Sequence, residues 1–255
     1  MIIRTQKIFD EECLITNIQT LGGYFEITFE SGNISSSILP GQFVNVKLRA
    51  PLIRRPFTLF DKTNGKFSIL VKVVGVGTEE LSRMKVGQSL SILGPLGNSV
   101  FDFGLQEEDS IDLVAGGVGI ANMLIVAKYL RSEGRKIRLF WGVRTKDEYF
   151  EKDFEYFDEI FISSNDGSIG ERGFITQVFE RHYEGGVVYA CGPMPMLSAL
   201  SRLPKLDASR TILSLETFMG CGIGICYGCN VRTRDDGYIL VCKEGPNILL
   251  KNILV

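Results

Sequence analysis

Apolar and polar residues alternate with period two along "GYFEITFE" (23–30) and "FVNVKLR" (43–49), and through most of "KFSILVKVV" (66–74). Alternation of this kind sets one face of a strand on a core and the other in solvent. Turn signals separate the runs: "ESGN" (30–33), "LPGQ" (39–42), "DKTNG" (61–65) and "KVGQ" (85–88). Residues 12–100 are therefore predicted to form an antiparallel β-barrel or sandwich. From about residue 108 the rhythm changes to short apolar runs: "SIDLVAGG" (110–117), "KIRLFWGV" (136–143), "DEIFISSND" (158–166), "GVVYACGP" (186–193) and "RTILSLE" (210–216). Helix-like segments lie between them, most clearly 119–133, 173–183 and 193–202. Strands buried on both faces read this way, and βαβ units building a parallel sheet are the usual cause. "GNSVFDFGLQEED" (97–109) breaks both patterns. The expected plan is mixed β and α/β: an antiparallel β-barrel domain over 1–103, a parallel-sheet α/β nucleotide domain over 104–215, and a small C-terminal appendage over 216–255.

Composition narrows the class. At 255 residues with 45% apolar content, the chain buries a sizeable core as one or two domains. Its start, "MIIRTQKIFDEECL", lacks the apolar core of a signal peptide. "LVAGGVGIANMLIVAKYL" (113–130) is interrupted by glycines, Asn122 and Lys128. The expectation is a cytoplasmic protein with no membrane span. A net charge of −2 with interleaved signs gives no basic face, so nucleic acid is not an expected partner. The only histidine, His182, sits in a helix-like "FERHYEGG" and reads as a surface residue.

Of the six cysteines, Cys13 and Cys191 lie in strand-like runs. The other four form a group in "GCGIGICYGC" (220–229) and beyond it: Cys221, Cys226, Cys229 and Cys242, spaced C-x4-C-x2-C with the last cysteine after twelve further residues. The first part matches the plant-type [2Fe–2S] loop. Glycines at 220, 222, 224 and 228 suit a loop that curls around a cluster and brings N–H groups to its sulfurs. A structural zinc site usually uses two short pairs, which fits this spacing poorly, and disulfides lack a secretory context. Both nevertheless stand as alternatives, with a zinc-stabilised binding module as the corresponding function.

"LVAGGVGIANML" (113–124) reads as strand, glycine turn and helix, an arrangement that aims N–H groups at a phosphate. Asn122 stands where a third glycine should be, and no ribose-binding acid follows, so close strand–helix packing explains the turn equally well. "SNDGSIGERG" and "YACGPMPM" are expected on the same carboxyl edge of the sheet, where ligands bind. The competing reading makes Cys191 a buried small residue and Asp166 a turn former. In the barrel, "RRPFTLFD" (54–61) places two arginines before a short strand, which alone reads as a solvated rim. "VKVVGVGTEELSRM" (71–84) reads as a strand ending in a Gly-Thr turn that opens a short helix, a second place for a phosphate.

Taken together, "RPFT", the Gly-Thr turn, "GGVG", "CGPMPM" and a final cysteine loop resemble the ferredoxin-NADP reductase superfamily. Within it, the likeness is to the electron-transfer subunits of type B dihydroorotate dehydrogenases, over nearly the whole chain. The resemblance implies that the barrel binds FAD. Arg55 would hold the pyrophosphate, Thr58 would face the flavin N5, Pro56 and Phe57 would line the site, Leu70, Val71 and Lys72 would run beside the ribityl chain, and Gly77–Thr78 would form the second phosphate turn. It implies a dinucleotide turn at Gly116, Gly117 and Gly119 for NAD, with Cys191, Gly192 and Pro193 bordering the nicotinamide and Asp166 on the same edge. Thr58 and Cys191 would stand at the reacting atoms. Cys221, Cys226, Cys229 and Cys242 match the ligands of a [2Fe-2S] cluster. Relatives carry "GGVG-x-AP" where this chain has "GGVGIANM", and many carry tyrosine at Phe57.

A nicotinamide exchanges two electrons as a hydride and a cluster exchanges one, so a flavin between them is required, which supports FAD independently. The resemblance further implies an FMN-containing catalytic dihydroorotate dehydrogenase subunit as partner, in a heterotetramer within pyrimidine biosynthesis, since this chain lacks the residues to oxidise dihydroorotate itself. Apolar residues of "GICYGC" and of the tail "PNILLKNILV" (246–255) are candidates for that interface, the tail otherwise packing on its own domain. A subunit feeding a hydrogenase or a ferredoxin-linked reductase is the rival of the same class.

Overall fold

A computed structural model of the chain describes residues 7–50, 52–99, 110–131 and 134–255. Six antiparallel strands close a barrel: β1 (Phe9–Leu21), β2 (Tyr24–Glu30), β3 (Phe43–Val46), β4 (Arg55–Thr63), β5 (Lys66–Val71) and β6 (Ser89–Leu96), in the order β1-β2-β5-β4-β3-β6. The period-two runs supply its interior, where Ile15, Ile27, Phe29, Val44, Val46, Phe67 and Ile69 are buried together. Two short helices decorate it, α1 (Asn33–Ser37) and α2 (Val76–Ser82).

The second half is a seven-stranded sheet. Its parallel strands are β7 (Ile111–Gly116), β8 (Ile137–Val143), β9 (Glu159–Ser164), β10 (Glu171–Arg172), β11 (Val187–Cys191) and β12 (Thr211–Ser214), with α3 (Ile120–Arg131), α4 (Ile175–His182) and α5 (Met194–Ser201) between them. The order β10-β9-β8-β7-β11-β12 reverses at β7, so the switch point lies between β7 and β11. The predicted runs and helical segments all correspond to elements. The expected boundary at 103/104 lies outside the described residues.

The C-terminal segment is more than an appendage. After a small hairpin, β13 (Asn230–Arg232) with β14 (Tyr238–Leu240), and a helical turn, α6 (Val241–Glu244), the chain runs into β15 (Asn247–Leu249). That strand joins the edge of the sheet antiparallel to β12. Half of the expectation for the tail is met in this way: Ile248, Leu250 and Ile253 are buried on the chain's own sheet.

The three parts share cores. Tyr24, Phe60 and Leu70 of the barrel pack with Leu113, Trp141 and Tyr189 of the sheet, while Phe43 and Leu96 pack with Met219, Cys229 and Cys242. Helix α3 is buried nearly all round because it lies between sheet and barrel, which explains why it is apolar on most faces apart from Asn122 and its basic last turn. The β1–β2 turn docks so closely that a Cβ on Gly22, whose φ is +53°, would sit 2.6 Å from the Tyr149 carbonyl oxygen. Three ion pairs cross the same boundary: Asp61 with Lys128 at 2.8 Å, Glu26 with Lys152 at 2.8 Å and Lys72 with Glu148 at 2.5 Å. Among the described residues no helix is long and apolar enough to cross a membrane.

Candidate functional site: an interdomain cleft beside a cysteine loop

Barrel, sheet and C-terminal segment meet at a cleft of about 730 Å³. Strands β4 and β5 bring Arg55, Pro56, Phe57, Thr58 and Leu70 to one wall, with Lys72 just beyond β5. These positions are half-buried or buried because β4 pairs with β3 along one edge and turns its other face to the cleft. Gly77 and Thr78 line the same wall within the first turn of α2, which opens at Val76, one residue earlier than the Gly-Thr turn suggests. The Thr78 hydroxyl accepts from the backbone N–H groups of Val74 (2.9 Å) and Gly75 (3.1 Å), and so shapes that turn.

The opposite wall comes from the carboxyl ends of β7, β11 and β12. Gly119 and Cys191 lie in it, with Asn122, Ser214 and Glu216. Cys191 is buried, and burial pushes its thiol up to about 12, so it is a neutral thiol near pH 7. Glu216 is open to water but walled by the cleft, and this partial desolvation raises its carboxyl above the ordinary range.

Other expected residues stand apart from the lining. Val71 is buried inside the barrel. Gly116, Gly192 and Pro193 pack against one another behind the cleft: a Cβ on Gly116 would meet Met196 Sδ at 2.6 Å and Pro193 Cδ at 2.9 Å. A Cβ on Gly119 would sit 2.2 Å from the Cys191 carbonyl oxygen. At these two positions close packing by itself requires glycine. Gly117, at φ +54°, has its carbonyl held by the Trp141 indole N–H at 3.0 Å. Asp166 lies in the exposed turn after β9, where its carboxylate accepts from the Ser168 N–H (3.0 Å) and hydroxyl (2.6 Å). Asn122, Ser214, Glu216 and Met219 are cleft residues without a sequence signal as site residues. Asn122 reaches the cleft from the first turn of α3, and the other three because β12 ends beside β11 and the chain then turns along the wall.

Met219 is a cleft residue and Cys221 follows two positions later, so their Cα atoms are at most about 7 Å apart. The cysteine loop therefore begins at the cleft wall. Its sulfurs fall into two pairs. Cys229 and Cys242 are buried, with sulfurs 3.2 Å apart. Cys221 and Cys226 are more open, and each accepts from the other's backbone N–H at 3.4 Å. Further N–H groups converge on the same atoms: those of Ile223 and Ile225 on Cys221 Sγ, Gly228 on Cys226 Sγ, and Gly224 on Cys242 Sγ at 3.1 Å. Burial acts to raise the Cys221 thiol, but these N–H groups outweigh it and bring it down to about 6.

Among the described residues no three metal-ligating side chains converge on a single point. Two cysteine pairs with backbone N–H groups aimed at all four sulfurs suit a two-iron cluster better than one tetrahedral ion. Bare backbone is also needed there. A Cβ on Gly222 (φ +74°) would lie 2.1 Å from Asn45 Nδ2, and Asn45, wholly buried under the loop, has neither amide atom hydrogen-bonded.

Comparison with known proteins identifies each part. The "Oxidoreductase FAD-binding domain" family matches residues 22–101, the "Oxidoreductase NAD-binding domain" family matches 113–202, and the "Iron-sulfur cluster binding domain of dihydroorotate dehydrogenase B" family matches 216–254. Fold and site thus define an NAD-linked oxidoreductase component with FAD, NAD and iron–sulfur domains. The chain is 33% identical to the dihydroorotate dehydrogenase B (NAD(+)) electron transfer subunit of Fusobacterium nucleatum, over 95% of this chain and 98% of that one. It is 36% identical to the subunit of the same name from Lysinibacillus sphaericus, over 96% of both. It belongs to the family of dihydroorotate dehydrogenase B electron transfer subunits. Among solved structures, an NADH-dependent reduced ferredoxin-NADP oxidoreductase, described in connection with flavin-based electron bifurcation, superposes with a TM-score of 0.81 at 29% identity, over 96% of this chain and 90% of that one. The ferredoxin reductase of carbazole 1,9a-dioxygenase shares the fold, with a TM-score of 0.68, 24% identity and coverage of 76% and 64%.

Proposed function

We propose that this chain carries electrons from an FMN-containing catalytic dihydroorotate dehydrogenase subunit to NAD+, as a cytoplasmic member of a heterotetramer that serves pyrimidine biosynthesis. The observation that carries this reading is the single cleft in which "RPFT" of the barrel, the carboxyl edge of the sheet and the start of the cysteine loop meet. The domain plan is 1–103 for FAD, 104–215 for NAD and 216–255 for the cluster. A flavin held there would supply both hydride exchange with a nicotinamide and single-electron exchange with a cluster, which is why sites for all three belong together.

The chain's own residues bind, orient and shield. Arg55 and the N–H groups around Gly77 and Thr78 hold pyrophosphate charge. Pro56, Phe57 and Leu70 shape the apolar wall, with Val71 packed behind it in the barrel core, and Thr58 presents a hydroxyl to the flavin edge, with Lys72 beside it. Gly119 lines the dinucleotide side, Gly116, Gly117, Gly192 and Pro193 shape it from behind through close packing and the turn, and Asp166 lies further out on the same carboxyl edge. Cys191 borders the reacting carbon as a neutral thiol that neither attacks nor repels. Cys221, Cys226, Cys229 and Cys242 hold the cluster, and Glu216 can hold a proton at the cleft. The docking surface for the catalytic subunit is the apolar rim of the loop, where Phe218, Ile225, Tyr227 and Tyr238 are 66–72% exposed.

The likeness to a ferredoxin-linked oxidoreductase favours a second reading, in which a ferredoxin supplies the electrons. An anaerobic absorption spectrum with iron and flavin assays, followed by NADH addition and by copurification, tests both. Iron and FAD at about 2:1 with bleaching by NADH, and an FMN subunit that oxidises dihydroorotate as copurifying partner, is the expected result. Ferredoxin-dependent reduction without such a partner would select the second reading. A colourless zinc protein would overturn both.

A further inference from the structure

Ser214 and Asn122 form the inner corner of the cleft next to Cys191, and neither has a part in the functional reading given above. Asn122 occupies the third-glycine position of the turn and is 0% exposed. Its Nδ2 is 2.7 Å from the Tyr189 hydroxyl oxygen and 3.1 Å from Ser214 Oγ, and its Oδ1 is buried with no partner.

Amide orientation has to be settled by the surrounding network, and here the network settles it. One amide atom of Asn247 lies 3.1 Å from the Gly41 carbonyl oxygen and 3.0 Å from that of Asn98. Backbone carbonyls only accept, so this atom is Nδ2 and the other, Oδ1, must accept. The Tyr189 hydroxyl, 2.5 Å from that Oδ1, gives it its single proton. The Tyr189 oxygen can then only accept from Asn122, which must also present Nδ2. The second amide proton of Asn122 goes to Ser214 Oγ. Ser214 therefore accepts on its inner side and keeps its own proton for another acceptor. Within the protein it has hydrogen-bonding contact with the Tyr189 oxygen, which already donates once and accepts once, and with the Cys191 sulfur, a weak acceptor. A carbonyl oxygen in the cleft is better than either. Donor direction at the cleft is thus set by two barrel carbonyls, through a residue of the C-terminal segment and two of the sheet domain.

We propose that Ser214 donates to the carboxamide carbonyl of the nicotinamide ring, and that Asn122 is the positioning residue that keeps Ser214 a donor. The assignment rests on the reading that this cleft takes a nicotinamide dinucleotide. An uncharged acceptor suits the corner, since the cleft-lining cations Arg55 and Lys72 both belong to the barrel wall. A carboxamide carries an acceptor and a donor on one carbon, and the unpartnered Asn122 Oδ1 is an acceptor beside the Ser214 donor.

Two probes separate the halves of the dinucleotide in the FAD-loaded protein: 1,4,5,6-tetrahydro-NAD, which keeps the carboxamide but transfers no hydride, and ADP-ribose, which lacks the ring. Their dissociation constants are read from flavin absorbance changes or by calorimetry. Ser214→Ala is expected to weaken the tetrahydro compound by about five- to tenfold and ADP-ribose by less than about twofold. The near-isosteric Asn122→Asp, which offers Ser214 an acceptor in place of a donor, is expected to do the same. Equal weakening of both probes, or of neither, overturns the assignment, and ADP-ribose binding with full FAD content shows that each variant is folded. Wild-type protein that bound neither probe would overturn the nicotinamide reading, and this assignment with it.

Discussion

Cys226 is the exposed member of the sulfur set, accepting N–H groups from Cys221 and Gly228. Cys226→Ala should lose the cluster's visible absorbance and stop electron transfer to the partner, while NADH still reduces the flavin in a stopped-flow trace. Arg55→Ala should weaken FAD by about tenfold or more, as loss of a charge-assisted contact does, and flavin retained after dialysis measures it. Gly119→Ala is a different kind of change: the atoms its Cβ would strike belong to the Cys191–Gly192 backbone, which has no rotamer to escape into. A loss of about 3 kcal/mol in urea unfolding is expected. These residues differ in how far sequence exposes them. The cysteines are legible because their spacing along the chain is itself the signal. Ser214 and Glu216 are not, since their place in the cleft depends on which strand β12 lies beside. Trp141 looks like an ordinary core residue in "KIRLFWGV", although its indole fixes the Gly117 turn.

Among elements, the alternating strands and the apolar runs were readable because burial on one face or two leaves a direct mark on composition. The antiparallel β15 was hidden: three residues with no periodicity, ordered only by the β12 edge they complete. The packing of barrel against sheet was hidden too, because it depends on ion pairs between segments far apart in sequence. Glu148, just after β8, is the centre of one such group, bonded to Lys72 and to Arg144 (2.7 Å). Burial acts to raise its carboxyl, but the two cations outweigh that and hold it below the ordinary 4.5. A depressed carboxyl stabilises the fold above 4.5 and loses that contribution as pH falls through the folded value. Glu148→Gln should therefore lower Tm by roughly 5 °C at pH 7, with the difference from wild type shrinking below pH 4.5, in thermal scans across that range.

For the whole molecule, the split of the sulfurs into a buried pair and an open pair gives the cluster a direction. Cys229 and Cys242 face a core shared with the barrel, and Cys221 and Cys226 face the apolar rim. Replacing Ile225 and Phe218 by aspartate should abolish copurification with the catalytic subunit, leaving iron, flavin and NADH-dependent bleaching unchanged, which gel filtration and spectra would show together. The strand that closes the sheet has a wider consequence for how this architecture can be cut and recombined. Because β15 comes from the cysteine-bearing segment and carries Asn247 into the middle of the molecule, that segment is not a cassette to be clipped off at residue 215 or exchanged with another carrier's. Trimming it would unsheathe the β12 edge, remove the part of the cleft wall that Met219 and Pro246 supply and leave a sticky half-sheet, so exchange of this segment must be accompanied by redesign of the sheet that receives it.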